Sequence, residues 1–275
     1  MIKLGGNSRQ SLASLRGTLD EKLKGLSSTD CTAIYKDLFT ALGALHSSVG
    51  LRRAITDPSR DAQSKSVLVN DLFSSSLSKN VIVILNEAVS LRWSSPVDVA
   101  SAIEQLAIEA EATAANAEDS LDRVQNELFI FGRTIAANQE LRQILGDRLG
   151  SVVGKTELIA SLLTSKAAVS TVRLVTQLVT GLAGRSVDSV LEIYIDAVAA
   201  RRNRLIVLVS TRTALTATQS EKLTQIMSKQ VGQPVHLNFH IDPSVLGGVS
   251  VRFADEMVDG TISTRLAEAG RALAV

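Results

Sequence analysis

The chain has 275 residues, 45% of them hydrophobic, with 29 basic and 28 acidic side chains and a net charge of +1. That is enough apolar material for packed cores over two or three domains, and the even charge gives no global electrostatic reason to seek nucleic acid or acidic lipid. Aromatic residues make up only 3%, which argues against a base-stacking surface, and a single cysteine, Cys31, rules out an internal disulfide.

The N-terminus, Met1 to Leu26, carries charges and glycines where a signal peptide would have an apolar core. Leu12, Leu15, Leu19 and Leu23 recur every three to four residues, so Ser8 to Leu26 reads as an amphipathic helix ended by Gly25 and Ser27-Ser28. A second helix, from about Thr29 to Ser48, has Ile34, Leu38, Leu42 and Leu45 on one face. Leu51 to Ile55 is a short helical piece that Asp57-Pro58 stops. Helices from about Asp61 to Leu77 and Lys79 to Trp93 follow. Then Ser95-Pro96 opens another, with serine at the cap and proline at the first helical position. A membrane-spanning helix needs about 20 largely uncharged residues. The apolar runs from Val81 and Val169 are broken by Glu87 and Arg173, so membrane contact is expected only through a partner.

From Pro96 no proline or glycine appears until Gly132, and Glu104 to Asn126 is rich in helix-forming Ala, Glu and Leu. A single helix to about Asn138 would run ~64 Å at 1.5 Å per residue. Either it bridges two bundles or it bends near Ala114 to Asp119. An internal repeat bears on this. Leu51-Arg52 matches Leu141-Arg142, an offset of 141 − 51 = 90, and at that offset Leu38-Phe39, Asp57, Lys65, Leu68 and Val97-Asp98 also recur. Residues 38–107 and 128–197 share 14 identities in 70 positions without a gap. Duplication explains this better than coincidence between two amphipathic bundles, because the stop signals keep register too.

After about Arg204 the periodicity changes. Leu205 to Val209 is a continuous apolar run, consistent with a strand covered on both faces. Thr216 stands three residues before Gln219, a capping box opening a helix with Leu223, Ile226 and Met227. Val235, Leu237 and Phe239 alternate as in a strand. Asp242-Pro243 opens a turn, and Gly247-Gly248 permits backbone angles that side chains forbid. Val249, Val251 and Phe253 then alternate with Ser250, Arg252 and Ala254. Asp255-Glu256 reads as a turn, Met257-Val258 as a short return strand, and Asp259-Gly260 as the next turn. Leu266, Ala269 and Leu273 suggest a last helix. The expected fold is mainly α: two tandem antiparallel helical bundles, residues 1–110 and 111–203, then a small α/β domain, 204–275.

Few residues suggest chemistry. Gly150 to Thr156 approaches a phosphate loop, but three residues rather than four separate Gly150 from Gly154-Lys155-Thr156, and the preceding segment looks helical. The better reading is a helix start with Lys155 facing solvent. His46, His236 and His240 lack zinc-ligand spacing to any cysteine or carboxylate, so solvent-facing strand positions suit His236 and His240. Cys31 reads as a buried or half-exposed helix cysteine. Arg201-Arg202-Asn203-Arg204 either docks an acidic partner or, preferably, closes a helix C-terminus. Asp255, Glu256 and Asp259 suit turns. No catalytic, cofactor-binding or metal residue is assigned. Amphipathic helices instead suit the binding of partner helices.

The run Leu215, Thr216, Gln219, Asp242, Pro243, Gly247, Gly248, Asp259 and Gly260, in that order and at tight spacing, resembles the C-terminal domain of the ATP synthase delta subunit family. The mitochondrial counterpart is the oligomycin-sensitivity-conferring protein. Ala254 departs from the pattern, which often has glycine before the aspartate. The resemblance covers roughly residues 190–275 and implies a structural role for these nine residues. It also implies a non-catalytic peripheral-stalk subunit on the cytoplasmic face of the cell membrane. There the helical part would bind alpha subunits of the catalytic head and the C-terminal domain the membrane-anchored b subunit. The helical part looks doubled relative to the family's usual single bundle. A generic helical adaptor unrelated to rotary motors is the alternative.

Overall fold

The computed structural model describes residues 4–204, 206–213, 215–231, 235–242, 245, 249–253 and 256–259. The final helix expected around Leu266, and Pro243, Gly247, Gly248 and Gly260, lie outside the described residues. The chain divides into two compact units, Met1–Ala199 and Ala200–Val275.

The first unit is helical. Its elements are α1 (Gly6–Leu23), α2 (Ser28–Ser47), α3 (Val49–Thr56), α4 (Ala62–Phe73), α5 (Lys79–Ser90), α6 (Pro96–Ala117), α7 (Leu121–Ala137), α8 (Gln139–Gly146), α9 (Val152–Leu163), α10 (Val169–Thr180) and α11 (Val187–Arg204), which crosses the unit boundary. Short polar side chains start many of them. Asp61 accepts the Ser64 N–H at 2.8 Å, Ser48 accepts the Leu51 N–H at 3.1 Å, and Asn138 accepts the Leu141 N–H at 3.0 Å. Ser95 caps α6 with Pro96 in its first turn.

The duplication is visible in the element bounds. A shift of 90 residues carries Val49–Thr56 onto 139–146, Ala62–Phe73 onto 152–163 and Lys79–Ser90 onto 169–180, the bounds of α8, α9 and α10. The burial pattern shifts with them, pairing Ile55 with Leu145, Val69 with Ile159, and Val89 with Val179. So does a helix cap: Asp37 accepts the Ser78 N–H at 2.8 Å before α5, and Glu127 accepts the Ala168 N–H at 2.8 Å before α10.

The expected run from Pro96 to Asn138 bends. α6 stops at Ala117, and Asp119 takes a left-handed φ of 52°, a conformation aspartate tolerates better than most residues. The chain then restarts as α7. The same shift carries Gly6, the first residue of α1, onto Pro96, the first of α6. α6 packs against α1, α2 and α3 on one side and against α7 and α10 on the other. It is therefore both the sixth helix of the first copy and the first helix of the second. A boundary at 110/111 falls inside it.

The second unit carries β1 (Ile206–Thr211), α12 (Ala217–Val231), β2 (His236–Ile241), β3 (Val249–Phe253) and β4 (Glu256–Asp259). Strand order is β2-β1-β3-β4, with β1 parallel to β2 and antiparallel to β3. Val207, Val209, Met227, Val235 and Val251 form its core. Leu208 is 44% exposed between two buried valines, so among the described residues β1 buries one face, against the expectation of a strand covered on both. Ile226 is likewise exposed on α12.

Candidate functional site

The shared helix α6 is buried almost throughout, from Val99 to Asn116. Alanines at 100, 102, 107, 110, 112, 114 and 115 let neighbouring helices approach it on every side. Yet it carries three buried glutamates, Glu104, Glu109 and Glu111. A buried carboxylate is costly unless paired and hydrogen-bonded, and each of these has an arginine. Arg16 of α1 reaches Glu109 at 2.6 Å. Arg173 of α10 reaches Glu111 at 2.6 Å, and Thr32 of α2 donates to the same carboxylate at 3.0 Å. Arg185, between α10 and α11, clasps both oxygens of Glu104 at 2.7 and 2.8 Å. The fork geometry matches guanidinium to carboxylate. One arginine comes from the first copy and two from the second, so ion pairs fasten both copies to the helix they share.

Aromatic contacts join the copies as well. Tyr35 stacks edge-on against Phe39 at 5.0 Å, and Phe39 lies 6.4 Å from Tyr194 of α11. The Tyr35 hydroxyl donates to the Arg173 carbonyl at 3.1 Å. Burial raises both tyrosine pKa values above the ordinary phenol range. His46, near the end of α2, is pushed below the usual imidazole value by burial, with Glu104 opposing and Arg185 and Arg52 assisting. Burial works against ionised Glu127, but hydrogen bonds from Thr171, the Ala168 N–H and Arg123 outweigh it and lower its pKa.

Lys155 does not face solvent. It is buried, and its Nζ donates to the carbonyls of Leu145 at 2.8 Å and Asp147 at 2.6 Å, closing the C-terminus of α8. Lys65, its partner in the first copy, is buried too. The amine is thus committed to backbone oxygens, and Gly154 lies in the first turn of α9, so the segment forms no phosphate cradle. Cys31 is buried on α2. His240 is exposed on β2. Among the described residues no three His, Cys, Asp or Glu side chains stand close enough to hold a metal. The basic cluster closes α11, with Arg201 fully buried.

Of the motif residues, Thr216 and Gln219 meet. The Thr216 N–H donates to Gln219 Oε1 at 2.9 Å and the Gln219 N–H returns to Thr216 Oγ1 at 3.3 Å, a reciprocal capping box that starts α12. Leu215 is half-buried just before it. The Asp242 N–H donates to the Thr211 carbonyl at 2.8 Å, tying the end of β2 to β1, and Asp242 accepts the Val245 N–H at 3.1 Å. Asp259 ends β4, paired with Ser250.

This arrangement belongs to an interaction protein: two fused helical bundles locked by buried ion pairs, with a small α/β module. The family profile described as ATP synthase delta (OSCP) subunit matches residues 107–273. The ATP synthase subunit delta of Streptomyces coelicolor is 40% identical over 100% of both chains. That of Kineococcus radiotolerans is 37% identical over 98% of this chain and 97% of its own. A chain in the mitochondrial ATP synthase hexamer of Toxoplasma gondii aligns with 61% of this chain at 17% identity and a TM-score of 0.28, a likeness that carries no argument. The chain belongs to the ATP synthase delta (OSCP) subunit family. It is a structural subunit of the synthase and not itself catalytic.

Proposed function

We propose that this chain is the stator connector of a rotary, proton-translocating ATP synthase. Its helical unit holds alpha subunits of the catalytic head, and its C-terminal α/β module holds the end of the membrane-anchored b subunit. Family membership over the full length carries the reading. The fused bundles suit it physically: a connector resisting rotor torque needs stiff contacts, and α6, buried from both sides and fastened by Arg16, Arg173 and Arg185, leaves the copies no hinge between them. No described helix is long and apolar enough to cross a membrane. As a stator connector the chain is held on the cytoplasmic face through the complex. A generic helical adaptor would not share full-length similarity with delta subunits. The nine motif residues act in the fold of the b-binding module, as the capping box of Thr216 and Gln219 exemplifies. The test is purification of the synthase through an affinity tag on this chain. Alpha and b should both be recovered in stoichiometric amount, and recovery of neither would overturn the reading.

A further inference from the structure

We propose that the turn between α10 and α11 is an acid-released latch: Arg185 holds the start of α11 on Glu104 of the shared helix, and a proton taken up by His46 weakens that hold. The proposal goes beyond the stator reading and stands on the helical unit alone.

The clasp comes first. Glu104 is 2% exposed on α6, and Arg185 holds both its oxygens. The same guanidinium donates through Nε to the Leu182 carbonyl at 3.1 Å. One side chain therefore ties the turn to itself and to α6. The turn needs such a tie, because Ala183 has a φ of 49°, a left-handed conformation that a β-carbon disfavours. Arg148 adds a bond to the Gly184 carbonyl at 2.5 Å.

His46 ends α2 against this clasp. Arg52 of α3 donates to the carbonyls of Leu45 and of His46, the latter at 3.2 Å, which fixes a second cation at the same helix end. The charged groups facing the imidazole are thus Glu104 from α6, Arg185 from the turn and Arg52 from α3. Tyr194 of α11, beside Glu104 and Arg185, stays neutral because burial raises its pKa. Two cations already stand around one carboxylate. A protonated His46 is a third, repelled by both arginines and competing with Arg185 for Glu104. At neutral pH, burial and the two arginines keep the imidazole uncharged against the pull of Glu104.

The internal repeat places this cluster at the joint between the copies. At the 90-residue shift Ala136 stands for His46, Tyr194 for Glu104 and Ser95 for Arg185, so only Arg52 recurs, as Arg142. Arg142 turns instead to Asp188, at 3.6 Å. Duplication alone therefore does not account for the cluster. His46 is also the one histidine before residue 200, and histidine is the side chain whose ordinary charge change falls between pH 5 and 8. Free of the clasp it titrates near 6.5, and within the latched chain it titrates lower. The hold is full above about pH 6.5 and declines as the pH falls through the latched value.

The experiment is hydrogen exchange on the full chain, read amide by amide at pH 7.5 and 5.5 and corrected for the intrinsic effect of pH on exchange. The probes are the Arg185 and Val190 N–H groups, which donate to the Leu182 and Ser186 carbonyls. The reference is the Lys65 N–H, which donates to the Asp61 carbonyl at the start of α4. Between the two pH values, protection at the probes should fall at least about threefold relative to the reference. His46→Gln should abolish that fall, and His46→Asn serves if the first variant loses its helical circular dichroism. Equal losses at probes and reference, no loss in the parent chain, or a loss that persists without the imidazole would each overturn the proposal. None of these outcomes depends on what the chain binds, so the stator reading stands or falls separately.

Discussion

Removing the Arg173 side chain tests whether buried ion pairs hold the two helical copies together. Arg173→Met keeps most of the length and apolar stem, and the Tyr35 bond survives because it goes to the Arg173 backbone carbonyl. What is lost is the guanidinium contact to Glu111, at 2.6 and 2.7 Å, and the bonds to Thr32 and Ser170. The Glu111 side chain is 0% exposed and that of Arg173 27%. Breaking a fully buried pair costs about 3–5 kcal/mol, and the partial exposure of the arginine places this one near the lower end. With a urea dependence of about 1–3 kcal/mol per molar, the midpoint of helix loss should fall by at least about 1 M. Adding Glu111→Gln should recover at least half of the loss. A neutral amide needs no counter-charge and can still accept from Thr32. Urea titrations followed by far-ultraviolet circular dichroism measure both variants beside the parent chain. A single-variant cost under about 1 kcal/mol, well below that range, or a double variant worse than the single, would refute the claim that charge burial on α6 is what the arginine offsets.

Lys155→Met should lower stability by about 1–3 kcal/mol by orphaning the Leu145 and Asp147 carbonyls, with coupled ATP synthesis intact in complexes that assemble; lost synthesis with normal assembly would point back to nucleotide binding. Thr216→Ala should cost about 1 kcal/mol by opening the capping box of α12, read as an earlier thermal transition of the C-terminal module. His46 has a depressed pKa in the folded chain, so the unfolded chain binds more protons as pH falls below about 6.5, the ordinary imidazole value. Its stabilising contribution is full above that pH and lost as pH falls through the depressed folded value; His46→Gln should flatten the loss of stability as pH falls below about 6.5, and an unchanged slope would contradict this.

The sequence revealed those features whose signals are local. Asp61, Ser95 and the Thr216–Gln219 pair announce helix starts within three residues, and the structure places caps at each. The repeat was legible because duplication keeps register, and Lys65 and Lys155 are an identical pair within it. Their burial was missed because a lysine after a glycine reads as solvated, while the carbonyls it meets lie 8 and 10 residues back across a turn. A helix from Pro96 bridging two bundles was one of the two alternatives the sequence offered, but that α6 stops at Ala117 and belongs to both copies was not legible, for a similar reason. Glu104, Glu109 and Glu111 register in the sequence only as helix formers, and their arginines lie 81, 93 and 62 residues away. The alanines on every side of α6 were the available signal, since only small side chains allow packing all round. Leu208 shows the limit of a continuous apolar run, which does not distinguish a strand covered on both faces from one with an exposed leucine.

The stator claim meets its most direct test in membranes carrying a chain that lacks residues 204–275. The helical unit should still hold the head, b should no longer be recovered with the chain, ATP hydrolysis should persist, and proton-driven ATP synthesis should vanish. Normal coupled synthesis, or undiminished recovery of b with the truncated chain, would contradict the account.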